Sequence, residues 1–429
     1  MTQFDIESDR TVPLRSPMAH SSASPSRDNP TLRRAGYVLL ALYFLAGIAY
    51  SFVQPKVPHF MDERDNVALA DNLLHGPGYS LDGVHLTALR PPGYSFFAAA
   101  LESTGGGVLE VRIANFLALT VAIFLVARIC SLHESWGALL IATVVAAAYP
   151  LIFYIGGTLY PQSLAAFLLM AFLALLLLPG RTTLREVFAG LIYGMLILTV
   201  PTFLLILPFL LVAAYFLHLA AGRAALLVLV AAGLVVIAWT ARNYLEFHRF
   251  VPVASNSGVN LMIGNSPHTL PYGGAGNVDI NDLEKDRPPN MDDFQADNYM
   301  RDQAVAWIKQ HPGQALKLYV EKALNFFNVY NAYAKTSHTD ISPAKQLILA
   351  ASYVLLLLLL AWRLCESGRF PLEAQEKFFL IIYVAAALTS AIFFTRIRFR
   401  IPYDFLIVTI VAMHLSRRLR GWFGPRLGE

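Results

Sequence analysis

The stretch AGYVLLALYFLAGIAYSFVQ, residues 35–54, followed almost at once by HFMDERDN, residues 59–66, decides how this chain is read. The first segment is an unbroken apolar run, long enough as a helix to cross a hydrocarbon core about 30 Å thick. The second puts the carboxylates of Asp62, Glu63 and Asp65 and the guanidinium of Arg64 where such a helix leaves the bilayer. Charge at that depth costs solvation free energy unless a partner or a substrate uses it. The loop therefore reads as the place where a membrane protein does its chemistry.

The apolar pattern recurs. Ten stretches, near residues 35–54, 108–129, 135–152, 160–178, 184–199, 201–218, 223–240, 345–364, 377–394 and 401–417, read as spans. Over 429 residues, 56% are hydrophobic and 14% charged, against about 25% charged in soluble proteins. The expected fold class is an all-α polytopic membrane protein of about ten transmembrane helices. Residues 1–34 are polar, rich in Ser and Pro and without an apolar run, and they end in Arg33-Arg34. They read as a disordered cytoplasmic tail before an uncleaved anchor. Arg33, Arg34, Arg181, Arg185, Arg223, Arg363, Arg369, Arg417, Arg418 and Arg420 fall on one side when the spans alternate, which puts both termini in the cytoplasm. Cys130 and Cys365 then lie at cytoplasmic helix ends, where thiols stay reduced, so neither a disulfide nor thiol catalysis is expected. The net charge of +4 comes from these anchors. Basic residues and aromatics are not gathered on one soluble face, so no nucleic-acid partner is expected.

The chain divides into an N-terminal transmembrane module, 35–240, with a first external loop at 55–107; an external cap, 241–343; and C-terminal transmembrane helices, 344–420. In the first loop, Val67, Ala70 and Leu74 stand at helical spacing, predicting an amphipathic helix along the membrane over 62–74. Residues 91–101 are apolar but too short to span and end at Gly105-Gly106-Gly107, predicting a second interfacial helix. The cap begins with a Gly, Asn and Pro-rich region, 255–290, followed by helices over 291–310 and 313–330 separated by His311-Pro312. No fixed-period repeat is visible, which argues against a transporter of two matched halves.

Three constellations breach expectation on the same face. Asp62, Glu63 and Asp65 suit proton chemistry, or alternatively the capping of a helix start. Arg90, beside Pro91-Pro92-Gly93-Tyr94, suits a lipid phosphate, or alternatively snorkels to headgroups. Arg396, Arg398 and Arg400, with Arg242, break the positive-inside bias and call for an anionic partner. Phosphate suits planar guanidinium groups, while Asp404 or the acidic loop could instead pair with one or two of them. His59, His85, His268 and Glu63 lack metal-ligand spacing, so no metal site is expected. A divalent cation bridging Asp62 or Glu63 to a phosphate stays open.

In order and spacing, these segments resemble the bacterial membrane glycosyltransferases of the GT-C superfamily, family 39, the type related to protein O-mannosyltransferases and ArnT-like transferases. The resemblance covers most of the chain after the tail. It runs through Asp62-Glu63, residues 68–76, Gly78-Tyr79-Ser80, Arg90-Pro91-Pro92-Gly93-Tyr94, Arg112-Ile113-Ala114-Asn115, Arg242-Asn243-Tyr244, Val251-Pro252-Val253, residues 258–265, His311-Pro312 and residues 396–402. It implies a GT-C-type helical bundle in the cell inner (plasma) membrane. It further implies a polyprenyl phosphate sugar as donor, handled on the external face, and an acceptor hydroxyl on a lipid, glycan or protein. The chain departs from the pattern at Tyr160-Pro161-Gln162, where many relatives carry an acidic residue after the tyrosine, and at Thr199-Val200-Pro201, where many have a basic residue before proline.

In that chemistry the sugar becomes oxocarbenium-like while charge grows on the departing phosphate. Arg90, Arg396, Arg398 and Arg400 are the candidate phosphate ligands, with Arg90 and Arg398 the preferred pair. Asp62 is the candidate base and Glu63 its support. Tyr94, Tyr160, Arg242 and Asn265 are candidate substrate contacts. The rival readings are a transporter or flippase of lipid-linked sugars, and a non-catalytic assembly subunit.

Overall fold

The computed structural model describes residues 29–271, 287–289, 291–329 and 343–427. Among them every regular element is helical, with one isolated bridge between Ser80 and Leu86. In chain order these are α1 (Pro30–Val53), α2 (Met61–His75), α3 (Pro92–Glu102), α4 (Val108–Cys130), α5 (Ala138–Ala147), α6 (Pro150–Gly156), α7 (Gln162–Leu177) and α8 (Thr183–Thr199). There follow α9 (Thr202–Phe216), α10 (Gly222–Phe247), α11 (Ser257–Gly264), α12 (Asp293–Gln310), α13 (Pro312–Asn325), α14 (Pro343–Cys365), α15 (Ala374–Ile392) and α16 (Ile397–Leu427). Most of the expected tail, residues 272–286 and 290 of the Gly-rich region, and the 330–342 end of the cap lie outside the described residues.

Helices cover all ten expected spans, but with different shapes. Six of them, α1, α4, α10, α14, α15 and α16, are long and apolar enough to cross a membrane alone. The span expected over 135–152 is broken, because α5 and α6 meet at 79°. Pro150 has no N–H to continue a helix and disfavours helical geometry in the residue before it. Tyr149 accordingly leaves the helix with ψ at 86°. Helices α7, α8 and α9 have only 16, 17 and 15 residues, roughly 25 Å each and short of the core thickness. Prolines set these lengths: Pro161 stands just ahead of α7, and Val200-Pro201 separates α8 from α9.

The two expected interfacial helices are present as α2 and α3. Leu69 and Ala70 of α2 are fully buried, so α2 lies on the bundle as well as along its edge. In the cap, α12 and α13 meet at His311 as the sequence predicts. The cap is fastened from two sides. Asp297 of α12 accepts from the N–H groups of Gly258 (2.7 Å) and Val259 (3.0 Å) at the start of α11. Lys322 of α13 donates to the carbonyls of Gly264 (2.6 Å) and Phe393 (2.8 Å).

Helix α16 runs through the core, with Ile401, Phe405, Leu406, Ile407, Val408, Ile410 and Val411 fully buried. The two ends of the bundle are distinct. Arg420 of α16 pairs with Glu134 (2.9 Å) in the turn after α4, and Leu32 at the start of α1 lies against Gly137 of the same turn. The beginning of α1 and the end of α16 therefore share one end of the molecule. The start of α16 and the loops after α1 lie at the other.

Candidate active site

At the start of α2 the acidic cluster separates into three roles. Glu63 is buried and spends its carboxylate on backbone: Oε2 accepts from the N–H groups of His59 (2.9 Å) and Phe60 (3.0 Å), and Oε1 from that of Leu159 (2.9 Å). It caps the helix and ties it to the loop before α7. Three backbone N–H groups thus engage a carboxylate with about four acceptor sites, a capping role where a catalytic or cation-binding one was expected. Asp65, about half a turn on from Glu63, accepts from the Arg90 Nε at 2.9 Å and fixes that side chain. Asp62 points elsewhere. Its Oδ1 forms an ion pair with Arg90 Nη2 at 2.8 Å, and its Oδ2 accepts from Arg398 Nη2 at 2.9 Å.

These three groups sit in the wall of a cavity of about 390 Å³. The short helices make the room: Tyr160, Pro161 and Gln162 before and at the start of α7, and Thr199 through Thr202 between α8 and α9, all line it. Asn256, Ser257 and Asn260 of α11 and its approach close one side, and Phe393, Phe394, Phe399 and Pro402 make another side apolar. The Tyr160 ring lies 4.3 Å under the Arg398 guanidinium carbon, a cation–π contact that orients the arginine. Tyr94 also lines the cavity, its hydroxyl accepting from Asn115 Nδ2 at 3.0 Å.

Electrostatics follow the geometry. Burial raises the Asp62 pKa, but the charges of Arg398, Arg90 and Arg396 outweigh it and hold the carboxyl at about 2. Burial brings Arg396 down to about 10, with the Arg398 charge adding to the effect. Three arginine charges thus act on Asp62, two of them from side chains in contact with it.

Four further expectations are corrected. Residues 398 and 400 are about 200° apart around a helix, so with Arg398 in the cavity Arg400 faces the core. There it pairs with Asp404 (3.2 Å), donates to the carbonyls of Phe326 (2.9 Å) and Asn328 (2.8 Å), and lies over the Tyr353 ring. Arg242 donates to the Thr87 carbonyl (2.9 Å) and stacks on Trp239 and Phe247, outside the cavity lining. Asn265 donates to the carbonyls of Leu261 and Ile392 (2.9 Å each) and accepts from Lys322, again outside the lining. Arg396 stacks on Phe394 at 5.1 Å and acts on the cavity only through its charge. Among the described residues no group of three or more His, Cys, Asp or Glu side chains is placed to hold a metal.

Sequence reasoning did not assign Asn66, Asn256 and Asn260 to the cavity, and met Gln162 only as a departure from the resembled pattern. It also missed Lys322, which burial brings down to about 7. Neutral amides and a lone lysine carry no spacing signal, and only the folded arrangement brings them together.

Fold and site together define a class: an all-α polytopic membrane protein with an arginine–carboxylate cluster in a cavity at one end of its bundle. No protein-family model matches the chain, and no curated protein matches its sequence. Two solved structures are similar to it, ArnT from Cupriavidus metallidurans bound to undecaprenyl phosphate and the same protein in the apo state. Each is 14% identical and aligns with 92% of this chain; 79% and 80% of the respective chains are covered, with TM-scores of 0.41 and 0.40. At that identity no side-chain role passes from them to this chain.

Proposed function

We propose that this chain is a glycosyltransferase that moves a hexosyl or pentosyl group from a polyprenyl phosphate donor to an acceptor hydroxyl at the external, periplasmic face, with inversion. The observation that carries it is Asp62 clasped by Arg90 and Arg398, side chains from distant parts of the chain, at the wall of a cavity with an apolar flank. Two guanidinium groups 2.8 and 2.9 Å from one carboxylate make an oxyanion site already formed, and phosphodiester oxygens suit the same geometry. The isoprenoid chain takes the apolar flank.

The reaction is a single displacement. A donor phosphate that engages the arginines loosens their hold on Asp62. The acceptor oxygen bonds to the anomeric carbon from the face opposite the phosphate, the carbon–oxygen bond to phosphate breaks, and Asp62 takes the hydroxyl proton. Arg90 and Arg398 stabilise the charge that grows on the leaving phosphate. A flippase reading is less well supported, because the site charges gather at one end of the bundle rather than along a path through it.

Binding of radiolabelled polyprenyl phosphate to protein in nanodiscs tests the reading. Arg398→Ala and Arg90→Ala each weaken binding at least about tenfold, the loss of one charge-assisted pair. Asp62→Ala binds as tightly as wild type or more tightly, because its carboxylate competes with the phosphate. Loss of binding in Asp62→Ala with no change in the arginine variants overturns the assignment.

A further inference from the structure

Gln162, the first residue of α7, is 5% exposed and lines the cavity. Its Oε1 is buried and has no hydrogen-bond partner among the described residues. A buried amide oxygen without a donor is unfavourable; at a cavity wall, the group that satisfies it belongs to whatever the cavity binds. The charged residues lining the cavity are Asp62, Arg90 and Arg398, and the rest of its polar wall is neutral, Asn66, Asn256, Ser257 and Asn260 included.

We propose that Gln162 reads a hydroxyl of the donor's glycosyl group and that this group is uncharged, an inference that rests on the donor reading above. The charge inventory argues it. Arg90 pairs with Asp62 and Asp65 and Arg398 with Asp62, while the Arg396 charge acts on Asp62 from outside the lining; the sum is a surplus of one positive charge, which one phosphodiester neutralises. A sugar carboxylate would compete with that phosphate for the same guanidinium groups. A sugar ammonium would find only Asp62 in the cavity lining, and pairing with it would weaken the base the reaction needs. Hydroxyls fit what remains: an amide both accepts and donates, and its side-chain rotation lets Gln162 present either atom.

The test is competition against radiolabelled polyprenyl phosphate in nanodiscs. Competitors are polyprenyl phosphodiesters of equal chain length and equal phosphate charge, either the sugar-free methyl ester or carrying a neutral hexose, a neutral pentose, an amino sugar or a uronic acid. The expected result is that at least one neutral-sugar donor binds about tenfold more tightly than the sugar-free lipid, the worth of one or two neutral hydrogen bonds. The amino sugar and the uronic acid show no such gain. Gln162→Ala removes the gain and leaves the sugar-free lipid unchanged, which also shows that the variant is folded. Gln162→Glu, which keeps the shape and adds a carboxylate, turns the preference toward the amino sugar. A wild type that prefers a charged sugar overturns the proposal, as does a Gln162→Ala variant that weakens sugar-free and sugar-bearing lipids alike. Binding that ignores the sugar overturns this inference alone, whereas no binding of any polyprenyl phosphate overturns the donor reading beneath it.

Discussion

Asp62 is held at about 2 because burial, which would raise it, is outweighed by Arg398, Arg90 and Arg396. A carboxylate so strongly paired is a weak base, and it strengthens only when something else occupies the arginines. Without a bound ligand Asp62 stays ionised down to about pH 2, so on the proposed function its protonation does not limit kcat/KM at moderately acid pH. If donor phosphate occupies the arginines as proposed, burial acts with less opposition and the carboxyl rises. The acid limb of kcat is therefore expected at higher pH than that of kcat/KM, and coincident limbs would contradict the account. Asp62→Asn keeps the shape and removes the base, and the expected loss of turnover is about 10²- to 10⁴-fold. At this scale the sequence was partly legible. Asp62, Arg90 and Arg398 stood out as charges at the wrong depth, and they meet. Glu63 and Arg400 stood out for the same reason yet serve the fold, since a capping carboxylate and an i,i+4 pair such as Arg400 with Asp404 look identical to site charges until the helix phase is known. Gln162 stood out only as a departure, an amide where many relatives carry an acid, and nothing in the sequence showed that it lines the cavity.

Among elements, the cap and the far end of the bundle are fastened differently. A Cβ on Gly264 would lie 1.6 Å from the Phe393 carbonyl oxygen, so α11 docks on the end of α15 only with glycine there. Gly264→Ala is expected to push α11 away from the cavity and lower both thermal stability and donor binding, read by thermal unfolding in detergent and by the lipid-binding assay. At the opposite end Arg363 of α14 and Glu376 of α15 form a fully buried pair with two contacts of 2.6 Å. Glu376→Ala leaves that guanidinium without its carboxylate, and the expected loss is about 3–5 kcal/mol of stability. It would fall on the fold rather than on the cavity chemistry. Hydropathy located all ten helical stretches because a long apolar run needs no partner to be recognised. It misjudged their shape, because a window sums residues and does not register that Pro150 turns one span through 79° or that Pro161 and Pro201 shorten those around the cavity.

For the whole molecule, the start of α1 and the end of α16 share one end, through Leu32, Gly137, Glu134 and Arg420, and the cavity lies at the other. With the basic residues clustered at the shared end, the account places that end in the cytoplasm and the cavity outside. In a variant with Cys130 and Cys365 replaced, His85→Cys is expected to react with a membrane-impermeant thiol reagent added to intact spheroplasts; reaction only after lysis would invert the topology. The central claim is chemical. Its most direct test gives purified protein in nanodiscs a panel of polyprenyl phosphate sugars labelled in the sugar, with a membrane extract as acceptor, and compares wild type with Asp62→Ala. The account predicts label moving into product with wild type and, with Asp62→Ala, donor bound but label left on the lipid. Wild type that binds these donors and neither transfers nor hydrolyses any of them would contradict it.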